Sequence, residues 1–222
     1  MANRGDIRAE IRRELRDPLG KSWSNDEVND LINAGINAVS DYSPREYWDV
    51  VTYTHPSVNS SWGVPKVIDI TPFDNVFRVE IVDADNITID TLQPDNGNGS
   101  SSGWSLFGGS LMLPEKYPFQ VEKNGSNHDI IRLRVYGYSR HPFLDNDETA
   151  TTLSEQEQVS CRAYAVMEAL GRLMIDRANF QQWQIASGSS DVTISELAVL
   201  SNAARQRWYN ERQRLRRMRR VS

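Results

Sequence analysis

The spacing of apolar residues predicts helices at both ends of the chain and strands between them. Near the N-terminus, Ile7, Ile11 and Leu15 recur at every fourth position among charged residues, which is typical of one face of a short helix. Pro18 and Gly20 end this pattern. A longer helix with a stronger apolar stripe follows, so we predict that the N-terminal section is helical.

The second helix has a clear start signal. Ser24 as N-cap and Glu27 three residues later form a capping box. The stripe that follows consists of Val28, Leu31, Ile32, Ile36 and Val39. Gly35 lies within this stripe, where glycine costs about 1 kcal/mol relative to alanine unless another backbone approaches closely. We therefore expect close helix packing at Gly35 and Ile36, which are candidates for packing against another subunit.

From Asp49 the apolar residues alternate with polar ones, which is typical of half-buried strands. The predicted strands contain Val51 and Tyr53; Val67, Ile68 and Ile70; Val76 to Val82; Ile87 and Ile89; Leu111 and Leu113; and Ile131, Leu133 and Val135. Residues 93–109 include a Gly-, Ser- and Asn-rich tract and are predicted to form a long mobile hairpin loop. Trp104, Leu106 and Phe107 follow that tract and belong either to the core or to a docking tip.

The C-terminal section returns to a helical pattern. Ser154 and Glu157 offer a second capping box, and the apolar stripe behind it continues to about Asn179. Residues 181–190 are polar and are predicted to connect this helix to the last one. The sequence thus predicts an α+β fold in which N- and C-terminal helices form a helical bundle with an inserted antiparallel β domain. The predicted sections are residues 1–48, closed by Tyr47 and Trp48 after a brief turn at Pro44, then 49–145, and then 146–222.

The last helix carries a charge opposite to that of the chain. The net charge is −5, whereas the arginine-rich end, Arg205–Ser222, contains eight arginines and one glutamate and so carries +7. Candidate partner-binding residues here are Arg205, Arg207, Trp208, Arg212, Arg214, Arg216, Arg217, Arg219 and Arg220. A charge run of this kind is either a solvated helix face with a frayed terminus or a docking surface. Guanidinium groups suit planar contacts with carboxylates or phosphates, so a docked partner would be an acidic protein surface or a nucleic-acid backbone.

An apolar stripe runs beneath these arginines. It consists of Leu197, Leu200, Ala204, Trp208, Leu215 and Met218. A helix from Ser195 to Arg220 would be roughly 40 Å long, which exceeds what a small domain needs to cover its own core. We predict that residues 197–208 pack on their own bundle and that residues 212–220 leave it. A chain without residues 206–222 is therefore expected to stay folded.

Residues with catalytic or metal-binding chemistry do not form a recognisable set. His55, His128 and His141 stand apart and are expected at the surface or in turns. Gly20-Lys21-Ser22 lacks the first glycine and the preceding strand of a P-loop. Asp83, Asp85 and Asn86 lack the spacing of a calcium loop. Cys161 falls in a helical pattern and is expected to be an inert core thiol. We expect a protein made in the cytosol, without catalytic or metal-ligating residues and without a cofactor.

Two segments resemble a known family of proteins. The first is Trp23–Val39, WSNDEVNDLINAGINAV, with a short charged helix before it and Tyr47-Trp48 after it. The second is the helical ending, residues 170–179, followed by a polar link and the arginine-rich terminal helix. Both resemble the opening and close of head-to-tail connector (adaptor) proteins of tailed bacteriophages. The resemblance covers a little under half of the chain and does not extend to the β section.

This resemblance implies a viral structural protein of the virion, not an enzyme. Its protomers would form a ring, expected to be a dodecamer, below the portal, where it extends the DNA channel and offers a tail attachment platform. The implied partners are further copies of the chain, the portal protein, tail or stopper/tail-terminator proteins, and the genomic DNA passing through. The implied location is the head–tail interface of a particle made in the bacterial host cytoplasm, with residues 205–220 docked on the portal. The alternative is a nucleic-acid-binding protein that uses the same Arg-rich helix.

Overall fold

The computed structural model describes residues 2–54, 66–95, 103–113, 122–123, 129–188 and 192–219. Within these ranges the chain contains five helices and two antiparallel sheets, which confirms the predicted α+β class. The chain divides into two compact units. Met1–Arg45 and His141–Ser222 form the first, called here the helical unit, and Glu46–Arg140 forms the second, called the β unit.

The helices are α1 (Arg4–Glu14), α2 (Asn25–Ser40), α3 (Glu155–Ile175), α4 (Arg177–Ser187) and α5 (Ile194–Arg219). Both predicted capping boxes are confirmed, since Ser24 and Glu27 cap α2 and Ser154 and Glu157 cap α3 through reciprocal side-chain and backbone hydrogen bonds. Asn3 and Asp6 cap α1 in the same way. These local signals fix where three of the five helices begin.

Helix α4 occupies a segment where the sequence predicted a polar connection, so that prediction is wrong. The Asp176 carboxylate accepts hydrogen bonds from the backbone N–H groups of Ala178 and Asn179, ending α3 and starting a new helix. Phe180 and Trp183 then bury their rings on one side of α4. The Trp183 indole Nε1 donates to the Leu15 carbonyl oxygen over 2.9 Å. Phe180 and Trp183 are enough to pack α4 against the rest of the helical unit. Two apolar residues among glutamines are too few to give the sequence a recognisable helical period.

The loop between α1 and α2 closes around a buried carboxylate. Asp17, 1% exposed, accepts hydrogen bonds from the backbone N–H groups of Lys21, Ser22 and Trp23. The Arg12 guanidinium lies 3.3 Å from the same carboxylate and also donates to Asn25 Oδ1. The Gly20-Lys21-Ser22 turn therefore directs its N–H groups at Asp17, and the turn is a structural loop.

The β unit has eight strands among the described residues. They are β1 (Arg45–Thr54), β2 (Lys66–Asp69), β3 (Phe73–Val82), β4 (Thr88–Leu92), β5 (Ser105–Phe107), β6 (Ser110–Leu113), β7 (Glu122–Lys123) and β8 (Asp129–Ser139). One sheet has the order β1-β8-β3-β4, with β7 also paired to β8, and the other has the order β2-β6-β5. The buried cluster between them draws on both sheets, for instance Val79 and Leu133 from the first and Leu111 from the second. Period-2 alternation places these side chains on the inner faces.

Two sequence predictions about this unit are wrong. Tyr47 and Trp48 do not close a helical section, because β1 already begins at Arg45. Tyr47 faces the core and lies 5.3 Å from the Phe73 ring, measured between ring centroids, while Trp48 is exposed. The predicted loop 93–109 also contains order. Residues 105–107 form β5, and Gly108-Gly109, both at positive φ, make the two-residue turn to β6. Residues 96–102 of that loop lie outside the described residues.

Candidate partner-binding site

Helix α5 is fixed to the helical unit along one regular face. Thr193 and Glu196 cap its start through reciprocal hydrogen bonds. The inward positions are Leu197, Ser201, Ala204, Trp208, Glu211 and Leu215, at alternating intervals of four and three residues. Leu200, predicted to lie in the buried stripe, is instead 38% exposed. Polar Ser201 takes its place in the stripe, which the apolar pattern could not reveal.

The helix does not leave the helical unit after Arg212, so that prediction is wrong. Leu215 is 1% exposed and belongs to the same buried cluster as residues of α1, α2 and α3. The Glu211 carboxylate, an apparent break in the stripe, accepts hydrogen bonds from Gln156 Nε2 and Ser160 Oγ of α3. The described end of α5 is therefore anchored to within four residues of Arg219. The side chains of Met218 and Arg219, and all of Arg220, lie outside the described residues.

Several arginines of this end are engaged within the chain. Arg212 and Arg216, one turn apart on α5, both lie over the Tyr42 ring, with guanidinium carbons 5.7 and 4.9 Å from the ring centroid. Tyr42 also meets the Trp208 ring edge-on at 6.3 Å. Cation–π contacts of this kind contribute about 0.5 to 1 kcal/mol when exposed. Tyr42, between α2 and β1, thus holds the last turns of α5.

Two further arginines of α5 form ion pairs within the chain. The Arg207 guanidinium binds the Glu14 carboxylate at the end of α1. Arg214 lies 3.7 Å from Glu211 one turn earlier on its own helix. Exposed ion pairs of this type contribute at most about 1 kcal/mol to stability. Both arginines can therefore exchange their present partner for a carboxylate or phosphate of a bound molecule.

Arg205 and Arg217 are exposed and have no ion pair or ring contact with another residue that the structure describes. Seven of the nine predicted partner-binding residues have described side chains, and these fall into three groups. Trp208 is a core residue, Arg207, Arg212, Arg214 and Arg216 have partners within the chain, and Arg205 and Arg217 are directed to solvent. The arrangement presents guanidinium groups on a fixed helix, which suits contacts with carboxylates or phosphates.

Gly35 and Ile36 are not available to a second subunit. Close packing does occur at Gly35, but the neighbour is α3 of the same chain, and Ile36 is fully buried in the helical unit. Cys161 is the residue that approaches Gly35, and it is also fully buried. Burial raises the pKa of the Cys161 thiol to about 12, which agrees with the predicted inert core thiol.

The three apolar residues after the Gly- and Ser-rich tract differ in burial. Trp104 belongs to the core, 5% exposed, and its Nε1 donates to the Leu92 carbonyl oxygen. Leu106 is 40% exposed and Phe107 is 77% exposed at the β5–β6 turn. The core interpretation holds for Trp104, while Leu106 and Phe107 stay candidates for a docking tip.

His141 is buried, contrary to the expectation of a surface or turn residue, whereas His55 and His128 lie outside the described residues. Its Nε2 is 3.1 Å from the Ser43 carbonyl oxygen and its Nδ1 is 2.8 Å from Thr152 Oγ1. Because a carbonyl only accepts, the neutral ring donates from Nε2 and accepts at Nδ1. Burial lowers the pKa of His141, while nearby Glu157 and the Ser43 hydrogen bond partly oppose that shift.

Glu80 is a buried carboxylate that sequence patterns did not single out. It lies on the outer face of the larger sheet, 2% exposed, and accepts hydrogen bonds from Thr88 Oγ1 and Tyr136 Oη. Burial acts to raise the pKa of Glu80, but these hydrogen bonds and the charges of Arg78 and Arg134 outweigh it and lower the pKa. These contacts link β3, β4 and β8, and they satisfy the Glu80 carboxylate within the sheet.

Other chemistry is sparse in the described part of the chain. It contains no group of three or more His, Cys, Asp or Glu side chains placed to hold a metal ion. The Asp83 carboxylate accepts hydrogen bonds from the N–H groups of Asp85 and Ile87, so the segment once compared with a calcium loop is a tight turn. No described helix is long and apolar enough to cross a membrane.

No protein-family model matches the chain, and no curated protein is significantly similar to it.

Proposed function

We propose that the chain is a non-enzymatic virion structural protein, a head-to-tail adaptor that forms a ring below the portal. In this proposal the N- and C-terminal helices are the bundle of the protomer and the β unit is its insertion. The observation that carries it is helix α5, which is anchored along one face through Leu215 and exposes arginines on the other. A fixed row of guanidinium groups is suited to a large acidic partner surface.

Two further features support an assembly subunit. The segment Trp23–Val39, which carries the family resemblance, contains most of helix α2 and the Ser24–Glu27 capping box at which that helix begins. The helical unit also exposes large apolar side chains, among them Leu19, Met174, Ile175, Ile194, Val199 and Leu200. Exposed apolar side chains that form a continuous patch are typical of surfaces that bind a partner, and these residues are the candidates for such a patch. A ring, expected to be a dodecamer, extending the DNA channel and offering a platform for the tail would use such surface.

The test is a charge reversal at the two arginines without a described partner. Arg205→Glu combined with Arg217→Glu should leave the fold intact and abolish co-sedimentation with purified portal rings at physiological salt. Arg13→Glu combined with Lys21→Glu is the matched control, because both residues are exposed cations of the same unit and the net change is equal. Retained binding by the first variant, or equal loss with the control, would contradict the proposal.

The alternative is a nucleic-acid-binding protein, and the exposure of Arg205 and Arg217 is the observation that favours it. Arg205 and Arg217 have no described ion pair, and Arg207 and Arg214 are held only by weak exposed pairs, so about two to four phosphates could be neutralised. Two to four contacts predict a slope of about −2 to −4 in log affinity against log salt, from about −0.9 for each phosphate. Anisotropy titrations with a labelled duplex would decide, since tight binding with this slope supports the alternative and negligible low-salt binding removes it.

A further inference from the structure

The helical unit has a concave surface with an apolar lining. A groove of about 340 Å³ lies between the end of α1, α3, α4 and α5. Leu15, Val166, Leu170 and Trp183 form its buried floor, and Leu200 and Ala203 line its α5 side. The hydrogen bond from Trp183 Nε1 to the Leu15 carbonyl fixes two of its walls. The groove is therefore preformed, as sites for protruding side chains usually are.

The rim of the groove carries positive charge. Arg207 is balanced by Glu14, with which it forms an ion pair across the rim. Arg16 also lines the groove, is exposed, and is held in the left-handed region at φ 56° as the chain leaves α1. The occupant that fits is an aliphatic side chain with a carboxylate beside it.

The same chain offers this combination at the turn between α3 and α4, called here the corner. Ile175 is 90% exposed, the highest value among the large apolar residues described. Asp176 follows it, and its carboxylate is held in place by the N–H groups of Ala178 and Asn179. Met174, 44% exposed, widens the apolar surface. Groove and corner are thus complementary in apolar character and in charge.

We propose that the groove binds the corner of a second copy of this chain, with Ile175 on the apolar floor and Asp176 beside Arg16. A contact between two different surfaces of the same protein can repeat around a ring when its rotation closes. The inference rests on the proposed function only for its expectation of a homo-oligomer. It names the surfaces that join neighbouring subunits.

The experiment measures the mass of the full chain in solution with variants on each side of the contact. Ile175→Asp should raise the dissociation constant of self-association by about tenfold or more, because an exposed aliphatic anchor is replaced by a charge. Ala203→Trp should do the same by filling the groove, with Leu200→Asp as a second groove variant should the tryptophan prevent folding. Ile185→Asp is the control, because Ile185 is 81% exposed and lies two residues from Trp183, on the opposite side of α4.

A mixture of the Ile175→Asp and Ala203→Trp proteins tests directly whether the groove binds the corner. The Ile175→Asp protein keeps its groove and the Ala203→Trp protein keeps its corner, so an equimolar mixture should form one-to-one pairs although neither assembles alone. Assembly of Ile175→Asp like the wild type, or equal disruption by Ile185→Asp, would overturn the inference while leaving the adaptor proposal intact. A wild-type chain that stays monomeric at its highest soluble concentration would also overturn it and leave the groove to a partner of different sequence. A wild-type chain that self-associates as expected but does not bind purified portal rings would overturn only the adaptor proposal.

Discussion

Gly35 of α2 lies so close to Cys161 of α3 that a Cβ at Gly35 would be 2.7 Å from the Cys161 carbonyl oxygen and 2.8 Å from its Sγ. Cβ atoms do not approach backbone oxygen to this distance, and the carbonyl belongs to a helix that cannot move alone. Cys161 Sγ in turn donates to the Ile32 carbonyl oxygen at 3.6 Å. The missing side chain at position 35 is therefore what lets α2 and α3 pack together.

Replacing Gly35 with alanine should destabilise the protein. Alanine favours the helix by about 1 kcal/mol, but overpacking a tight interface costs typically about 1–3 kcal/mol, so we expect a net loss of up to about 2 kcal/mol. Urea denaturation followed by circular dichroism measures it. Gly171→Ala in α3 is the control, because nothing lies within 4 Å of its Cβ, and this change should be stabilising. A stabilised Gly35→Ala protein would show that the two helices can separate without cost.

Local signals explain which parts of the fold the sequence could predict. The helix start at Ser24 and the stripe that follows depend on residues within a few positions of one another, and both appear as expected. Strands β3 and β8 were recognisable because Val79, Ile81, Leu133 and Val135 alternate with polar residues. Tyr47 and Trp48 were misassigned because two adjacent aromatic residues carry no period.

The candidate site depended on contacts that lie far apart in the sequence. Arg207 binds Glu14, and Arg216 lies over Tyr42. The pattern of arginines showed a basic helix, but only the packing of α5 on α3, which brings its arginines to Glu14 and Tyr42, decides which guanidinium groups are engaged. The groove was likewise not predictable, because its Trp183 belongs to a helix that the sequence pattern did not reveal.

A chain ending at Arg205 should lose much of its stability, contrary to what the sequence suggested. It would lack Trp208, 8% exposed and edge-on to the Tyr164 ring at 5.1 Å, and the buried Leu215. Truncating a buried tryptophan alone costs about 3–5 kcal/mol. A chain ending at Arg219 is the control and should melt like the full protein. Thermal melting of both checks this, and equal melting temperatures would mean that α5 contributes little beyond Ala204.

Removing the Asp17 carboxylate should be strongly destabilising. Asp17→Ala leaves three loop N–H groups and the buried Arg12 guanidinium without their acceptor, and breaking a buried ion pair costs about 3–5 kcal/mol. Asp26→Ala, at an exposed position in the first turn of α2, is the control and should cost at most about 1 kcal/mol. Chemical denaturation measures both. Similar values for the two variants would contradict a structural role for this loop.

Stability should fall on mild acidification because of His141. Its pKa is lowered in the folded state, first by burial, so the unfolded chain binds a proton at higher pH than the folded one does. The loss of stability caused by His141 is therefore absent well above the ordinary pKa of about 6.5. It grows as the pH falls through that value, until the pKa of His141 in the folded protein is reached.

His141→Gln removes this titration while keeping a polar group of similar reach, so the free energy of unfolding of the variant should depend less on pH between about 7.5 and 5.5. Most carboxylates titrate below this window, and His55 and His128 are present in both proteins, so the comparison isolates one ring. The opposite result, a wild type that gains stability on acidification relative to the variant, would mean that Glu157 stabilises the protonated ring. That carboxylate is 3.9 Å from His141 Nε2, and Arg45 is the nearby cation that opposes it.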